Sequence, residues 1–154
     1  MIIFTPNTVI KSTEVNFNFT EVQSQITDLQ SVPRAYGYIG SNTAGGYKTL
    51  YLTTSGITFD GTNKLTVSVA GIYFIHAQQL ISTTVNAVYW GIHKNGVFTR
   101  YGYMNGSVNT NDVIASDLLS LSVGDTIQIY QSTAISSAWQ GEHSSFQMFC
   151  IKRT

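Results

Sequence analysis

Charge is what this sequence has least of. Its 154 residues include eight Lys or Arg and eight Asp or Glu, together 10% of the composition, where an average globular chain carries roughly a quarter. The surface must therefore be built from Ser, Thr, Asn, Gln, Gly and Tyr. Such a surface lacks the clustered Lys and Arg that bind phosphate, which sets aside nucleic acid and anionic lipid as partners. Cysteine is nearly absent too. Cys150 stands alone, so no intrachain disulfide can form, and cysteine usage says nothing of the redox compartment beyond arguing against a small disulfide scaffold. No run approaches the roughly 18 apolar residues of a membrane-spanning helix, and no membrane insertion is expected. The segment Met1-Ile2-Ile3-Phe4-Thr5-Pro6 has no basic n-region, long apolar h-region or small-residue cleavage site, so a signal peptide is not expected either.

Convergent catalytic groups are also missing. His76, His93 and His143 fall on three separate predicted segments, and none stands at metal-ligand spacing from another His, Cys or carboxylate. A lone histidine in a strand reads as a hydrogen-bonded core or interface residue. Ser116-Asp117 and Glu142-His143 are neighbours in sequence, but neighbours in a strand point to opposite faces and build no relay by themselves. There is no nucleophile elbow, phosphate loop or zinc signature. Asp112, Asp117 and Asp125 are too scattered for a calcium loop, and Asp125, in a Gly-Asp turn, reads as a residue that caps backbone N–H groups. The expectation is no enzyme, no catalytic residue, no metal and no cofactor.

What is present divides at Pro33. Upstream, Val15, Phe19, Val22, Ile26 and Leu29 are spaced four, three, four, three, the a/d pattern of a coiled-coil seam, with Ser12 or Thr13 able to cap its start. A second reading makes Val15, Phe17 and Phe19 a short strand and starts the helix at Thr20, with Gln23 completing a capping box. The stripe packs either against other copies of the chain or, as an amphipathic helix, on its own domain. Pro33 closes the helix. Downstream the pattern changes to short β-branched and aromatic runs with no helical period. Ten strands are predicted: 35–39, 50–53, 56–59, 64–69, 72–81, 86–93, 97–103, 113–121, 126–132 and 144–152. Asp60-Gly61-Thr62-Asn63, Lys94-Asn95-Gly96 and Val123-Gly124-Asp125 are turn signals between them. The result is an all-β sandwich or barrel at 34–154, preceded by an N-terminal anchor and helical neck at 1–33.

One stretch predicts assembly. A strand with one wet face alternates apolar and polar, yet Ile72, Tyr73, Phe74 and Ile75 are apolar on both parities, and Val88, Tyr89 and Trp90 repeat this. A sandwich buries only one face of each sheet. The second face must be covered by the N-terminal segment or another subunit, and a ring of three heterologous contacts closes. The residues expected at that interface are Val15, Phe19, Val22, Ile26, Leu29, Ile72, Phe74 and Tyr89.

From Phe59 to the C-terminus the sequence resembles the jelly-roll heads of the complement C-one-q and tumour-necrosis-factor superfamily. The matching residues are Asp60-Gly61-Thr62-Asn63-Lys64-Leu65, then Gly71-Ile72-Tyr73, then Leu119, Leu121, Gly124, Asp125, Ile127 and Ile129. The last strand matches in Ser145-Phe146-Gln147-Met148-Phe149, with Gln147 where the family usually has glycine. The resemblance implies a ten-stranded jelly roll assembled as a homotrimer, with its termini together at the base and binding loops at the far end and sides. The collagen-like stalk of animal members is missing. In its place, Ser12-Thr13-Glu14-Val15-Asn16-Phe17-Asn18-Phe19 resembles a short motif at the head of many bacteriophage fibre and virion-surface proteins.

Exposed aromatics are the binding candidates. Arg100-Tyr101-Gly102-Tyr103-Met104-Asn105-Gly106 and Ala138-Trp139-Gln140-Gly141-Glu142-His143 place rings and amides in or beside loops. Arg100, Tyr101, Tyr103, Asn105, Trp139, Gln140 and His143 could engage a host surface polysaccharide by ring stacking and hydrogen bonding. Alternatively, the rings fill the subunit interface or close the barrel end. The expected function is a trimeric phage fibre or head-fibre knob on the virion surface. It would be anchored to a capsid or tail protein by the N-terminal segment and would attach to a host glycan or receptor. The alternatives are a capsid-decorating, stabilising protein and, third, a polysaccharide hydrolase.

Overall fold

A computed structural model of the chain describes residues 18–26, 31–83, 87–104, 109–138 and 143–154, with backbone only at 104 and 109–111. The chain divides into two compact units, Met1–Val32 and Pro33–Thr154. In the first, residues 18–26 form helix α1, along which Phe19, Val22 and Ile26 are exposed. Val15 and Leu29, the outer members of the expected seam, lie outside the described residues, as do the alternative helix starts at Ser12 and Thr13.

The second unit is a sandwich of two antiparallel sheets. All ten predicted strands form, and two-residue strands β2 (Gly46–Tyr47) and β11 (Ser137–Ala138) join them. Sheet 1 contains β1 (Arg34–Ile39), β3 (Leu50–Ser55), β6 (Gly71–Thr83), β9 (Asn109–Leu121), β11 and β12 (Ser144–Arg153), running β3-β1-β12-β6-β9 with β11 also on β6. Sheet 2 contains β2, β4 (Ile57–Phe59), β5 (Leu65–Val67), β7 (Val88–Lys94), β8 (Val97–Met104) and β10 (Thr126–Gln131), running β4-β5-β10-β7-β8 with β2 also on β10. Strands β6 and β9 pair residue for residue from Gly71↔Leu121 to Thr83↔Asn109. Both are longer than predicted, because a backbone ladder continues past the apolar positions into Ser82, Thr83 and Asn109–Asp112, where side-chain pattern carries no strand signal.

Strict alternation runs the length of β6. Tyr73, Ile75, Ala77 and Ile81 are fully buried, facing Trp90, Ile92, Ile127 and Ile129 of sheet 2 and Phe146 and Met148 of β12 in one core. Gly71 opens the strand because β12 presses on it there: a Cβ would lie 2.5 Å from the Lys152 carbonyl and 2.8 Å from Cys150 Sγ, where β12 bulges between Cys150 and Lys152. Two residues on, the Tyr73 hydroxyl donates to the Val69 carbonyl at 2.7 Å. The Gly-Ile-Tyr motif is thus a close crossing followed by a tied aromatic.

At the other turns the predicted signals act as caps. Asp60 Oδ1 accepts from the N–H groups of Thr62, Asn63 and Lys64. Asp125 accepts from Asn95 Nδ2 at 2.7 Å and the Ser122 N–H at 2.8 Å, and pairs with Lys94 at 3.0 Å. These bonds, that of Asn95 foremost, hold its carboxyl down at about 2. Chain entry and exit lie together, where the Cys150 N–H donates to the Pro33 carbonyl and the Thr154 N–H to Ala70.

The opposite end has a polar interior. Lys48 is completely buried, with its ammonium donating to the Asn42 carbonyl and to Gln131 Oε1. Gln131 Nε2 reaches the carbonyls of Thr43, Ala44 and Thr133, and Gln79 Nε2 donates to Gly40 at 2.8 Å. Segment 40–49 is therefore held by buried side chains as well as by the short pairing of β2 with β10. Burial brings the Lys48 ammonium down to about 8 from 10.5. Between those values the unfolded chain keeps a proton that the folded chain has released, so folding stability rises with pH through that window. Relative to Lys48→Met, the wild-type protein should gain up to about 3 kcal/mol between pH 8 and pH 10.5, read by urea unfolding at both pH values. Parallel pH profiles for the two proteins would contradict this.

Candidate ligand-binding face

The hairpin β7–β8 carries the predicted aromatic stretch. Trp90 and Ile92 face the core, so Tyr89, Gly91 and His93 face outward. Their partners on β8 are Tyr103, Tyr101 and Phe98. Simple alternation would put Phe98 on the opposite face from Tyr101 and Tyr103, but the register shifts between Ile92 and His93 and leaves Thr99 as the extra residue. This bulge gathers three rings of β8 onto one face.

The result is a continuous row. Tyr103 and Tyr89 have ring centroids 5.2 Å apart, Tyr89 and Tyr101 5.3 Å, and Tyr101 and Phe98 5.5 Å. From Phe98 the row continues to Tyr130 of β10 at 5.6 Å and from there to Tyr47 of β2 at 5.2 Å. His93 lies beneath it, stacked on Tyr130 at 4.5 Å with 13° between planes and edge-on to Phe98 at 4.2 Å. It is buried, neither ring nitrogen has a hydrogen-bond partner among the described residues, and burial lowers its pKa, which favours the neutral imidazole. Tyr101 and Tyr103 are each 52% exposed. Offset and edge-on ring contacts of this kind fix side chains that would otherwise rotate freely.

The expected ligand residues are thus only partly brought together. Tyr101 and Tyr103 share the face, and they are joined by Tyr89, which the sequence suggested for a subunit interface. Arg100, opposite Ile92, takes the other parity and is exposed at the sandwich edge. His143 is exposed at the start of β12, in sheet 1. Asn105, Trp139 and Gln140 lie outside the described residues, but the strand ends that flank them meet at one end of the sandwich, through the pairs Val88↔Met104, Thr83↔Asn109, Ile81↔Ala138 and Gln79↔Ser144. Sequence reading missed Tyr47, His93, Phe98 and Tyr130. Tyr130 was accessible, since Ile127 and Ile129 face inward and so turn Gln128 and Tyr130 out. Phe98 was not, because no sequence signal marks the bulge.

The outward face of sheet 1 differs in chemistry. Leu118, Phe74 and Phe149 form a cross-strand row, with the two phenyl rings 5.3 Å apart. Ile72 stands on the same face of β6 and Ile114 on the same face of β9, while Tyr38 stacks on Tyr51 at 4.9 Å toward the far edge. Leu118 is 59% exposed and Ile151 58%. Ile72 and Phe74 therefore stand where a second cover was expected, on a face separate from Tyr89. On that same face His76 Nδ1 lies 2.8 Å from Ser116 Oγ. Among the described residues, no three His, Cys, Asp or Glu side chains gather in a way that could hold a metal ion.

No family model matches the chain, and no curated protein matches it. Solved structures do. Eiger TNF from S. frugiperda superposes with a TM-score of 0.60 at 14% identity, over 78% of this chain and 91% of that one. The fold is a jelly roll of the tumour-necrosis-factor kind. At that identity the likeness speaks for the fold alone.

Gly91 sets the spacing of the ring row. A Cβ there would fall 2.2 Å from the Arg100 carbonyl oxygen and 2.5 Å from the Tyr101 Cα, so β8 would have to move away. Gly91→Ala should destabilise the jelly roll by roughly 2 kcal/mol or more, in the range of overpacked cores, measured by urea unfolding. A change under about 0.5 kcal/mol, as on an ordinary surface, would show that the strands are not packed this closely.

Proposed function

We propose that this chain is a homotrimeric surface protein of a bacteriophage particle whose jelly roll attaches the particle to its host. The observation that carries the reading is the apolar outward face around β6 in sheet 1. Leu118, Phe74 and Phe149 are presented to solvent by strands whose other face already fills a complete core. Large contiguous apolar faces on otherwise polar proteins are interaction surfaces, and the apolar character here is that of a permanent subunit contact. The resemblance to the complement C-one-q and tumour-necrosis-factor superfamily supports three copies. The exposed stripe Phe19, Val22 and Ile26 on α1, with its three-and-four spacing, is of the kind that pairs helices of separate copies.

The virion assignment rests on Ser12–Phe19, which resembles the head motif of phage fibre and surface proteins, and on the uncharged, amide- and hydroxyl-rich composition. The knob then acts by binding and not by catalysis, and threefold presentation multiplies weak contacts. Phage particles assembled with and without this chain test the reading. Loss of the chain should slow adsorption to host cells at least tenfold and leave genome retention on heating unchanged. Normal adsorption with early heat release would establish a capsid-stabilising role instead.

A further inference from the structure

We propose that the outward face of sheet 2 is a platform for a neutral polysaccharide, laid along the ring row Tyr103, Tyr89, Tyr101, Phe98 and Tyr130. The inference rests on the attachment reading and names its ligand. Continuity is the first ground. Each ring in the row touches the next, at 5.2 to 5.6 Å between centroids, and all stand on strands, so little side-chain freedom remains to be lost on binding. The row lies on a sheet face, which fits an extended chain of sugars better than a single sugar enclosed in a pocket.

Charge is the second ground. The outward positions Thr58, Thr66, Gln128 and Gly91 continue the face, and none of its described strand positions carries Asp, Glu, Lys or Arg. Lys94 and Asp125, the nearest ions of β7 and β10, are paired with each other, and Arg100 takes the other parity. An acidic or basic partner would be desolvated here without a counter-charge. A neutral sugar chain loses nothing of that kind. Its C–H faces stack on the rings, while its hydroxyls exchange hydrogen bonds with the tyrosine hydroxyls and with Gln128 and Thr66. His93 beneath the row is neutral and keeps the platform so.

The third ground is the contrast between the two sheets. On β6, β9 and β12 sheet 1 presents Ile, Leu and Phe, side chains that gain by full drying, and its exposed tyrosines Tyr36, Tyr38 and Tyr51 are confined to β1 and β3. Sheet 2 presents tyrosines, whose hydroxyls would be stranded in a dry subunit contact and are served by a wet, hydroxylated ligand. A second copy of the chain therefore fits the first sheet, and a glycan the second.

The test uses polysaccharide extracted from host cells that adsorb the particle, separated into neutral and acidic pools. Full-length protein is titrated against each by affinity electrophoresis and calorimetry. The neutral pool should bind with little dependence on salt. Tyr101→Thr and Tyr89→Thr should each weaken binding at least tenfold with unchanged far-ultraviolet dichroism and mass, whereas Val123→Thr, in the exposed turn beside Asp125, should not. Salt-sensitive binding of the acidic pool alone, equal binding by wild type and both variants, or dissociation of the assembly by either variant would overturn the proposal. If the neutral pool fails to bind while particles still need this chain to adsorb, the glycan is wrong and attachment stands. If neither holds, both fall.

Discussion

A β-sandwich has one inside, and the pair β6–β9 has apolar side chains for two. Every inward residue of β6 from Tyr73 to Ile81 is already spent on the core. What remains outward is the row Leu118, Phe74 and Phe149, flanked by Ile72 and Ile114. At about 25 cal/mol per Å² of apolar surface, a face of this kind is costly to leave in water and productive to cover. With only 10% of its residues charged, the chain has little electrostatic means of keeping such faces apart. The proposed assembly through sheet 1 would resolve this, and a ring of three copies would close without leaving a free apolar face.

Once sheet 1 is committed, the rest of the molecule divides by position. The base holds the turn capped by Asp125 and the point where Pro33 and Cys150 meet, while the turn capped by Asp60 lies at the other end of β5, where the Leu50 N–H donates to the Thr62 carbonyl. The opposite end is organised from within by Lys48, Gln79 and Gln131, which satisfy the backbone of segment 40–49. Buried polar groups bonded to several backbone carbonyls restrict a loop much as sheet pairing does. Between the ends, the outward side of sheet 2 is left free, and there the tyrosine row stands.

Much of this was legible in the residues. Turn chemistry at Asp60, Asn95 and Asp125 and the run from Gly71 to Ile75 were enough to predict all ten main strands and a sandwich or barrel, and the resemblance to the complement C-one-q and tumour-necrosis-factor superfamily implied the jelly roll. The second apolar face was visible in Ile72 and Phe74. The site was legible only in part. Tyr101 and Tyr103 were found as aromatics near a loop, but their company was hidden. The bulge between Ile92 and His93 that turns Phe98 to their side has no signature in sequence, and Tyr89 reads equally well as interface or site until its register with Tyr103 is known. The buried Lys48 was also out of reach, because a lysine between two loop-like stretches normally signals surface. Two-residue strands such as β2 are shorter than any periodicity can register.

The central claim is that the outward face of sheet 1 joins copies of this chain. Sedimentation equilibrium of the purified protein across a wide concentration range, beside a Leu118→Lys variant, measures it directly. Three-copy assembly through that face predicts a mass three times the 16.9 kDa of one chain, falling to the single-chain mass in the variant. A wild-type protein that stays at 16.9 kDa, or a variant that assembles as well as wild type, would contradict it.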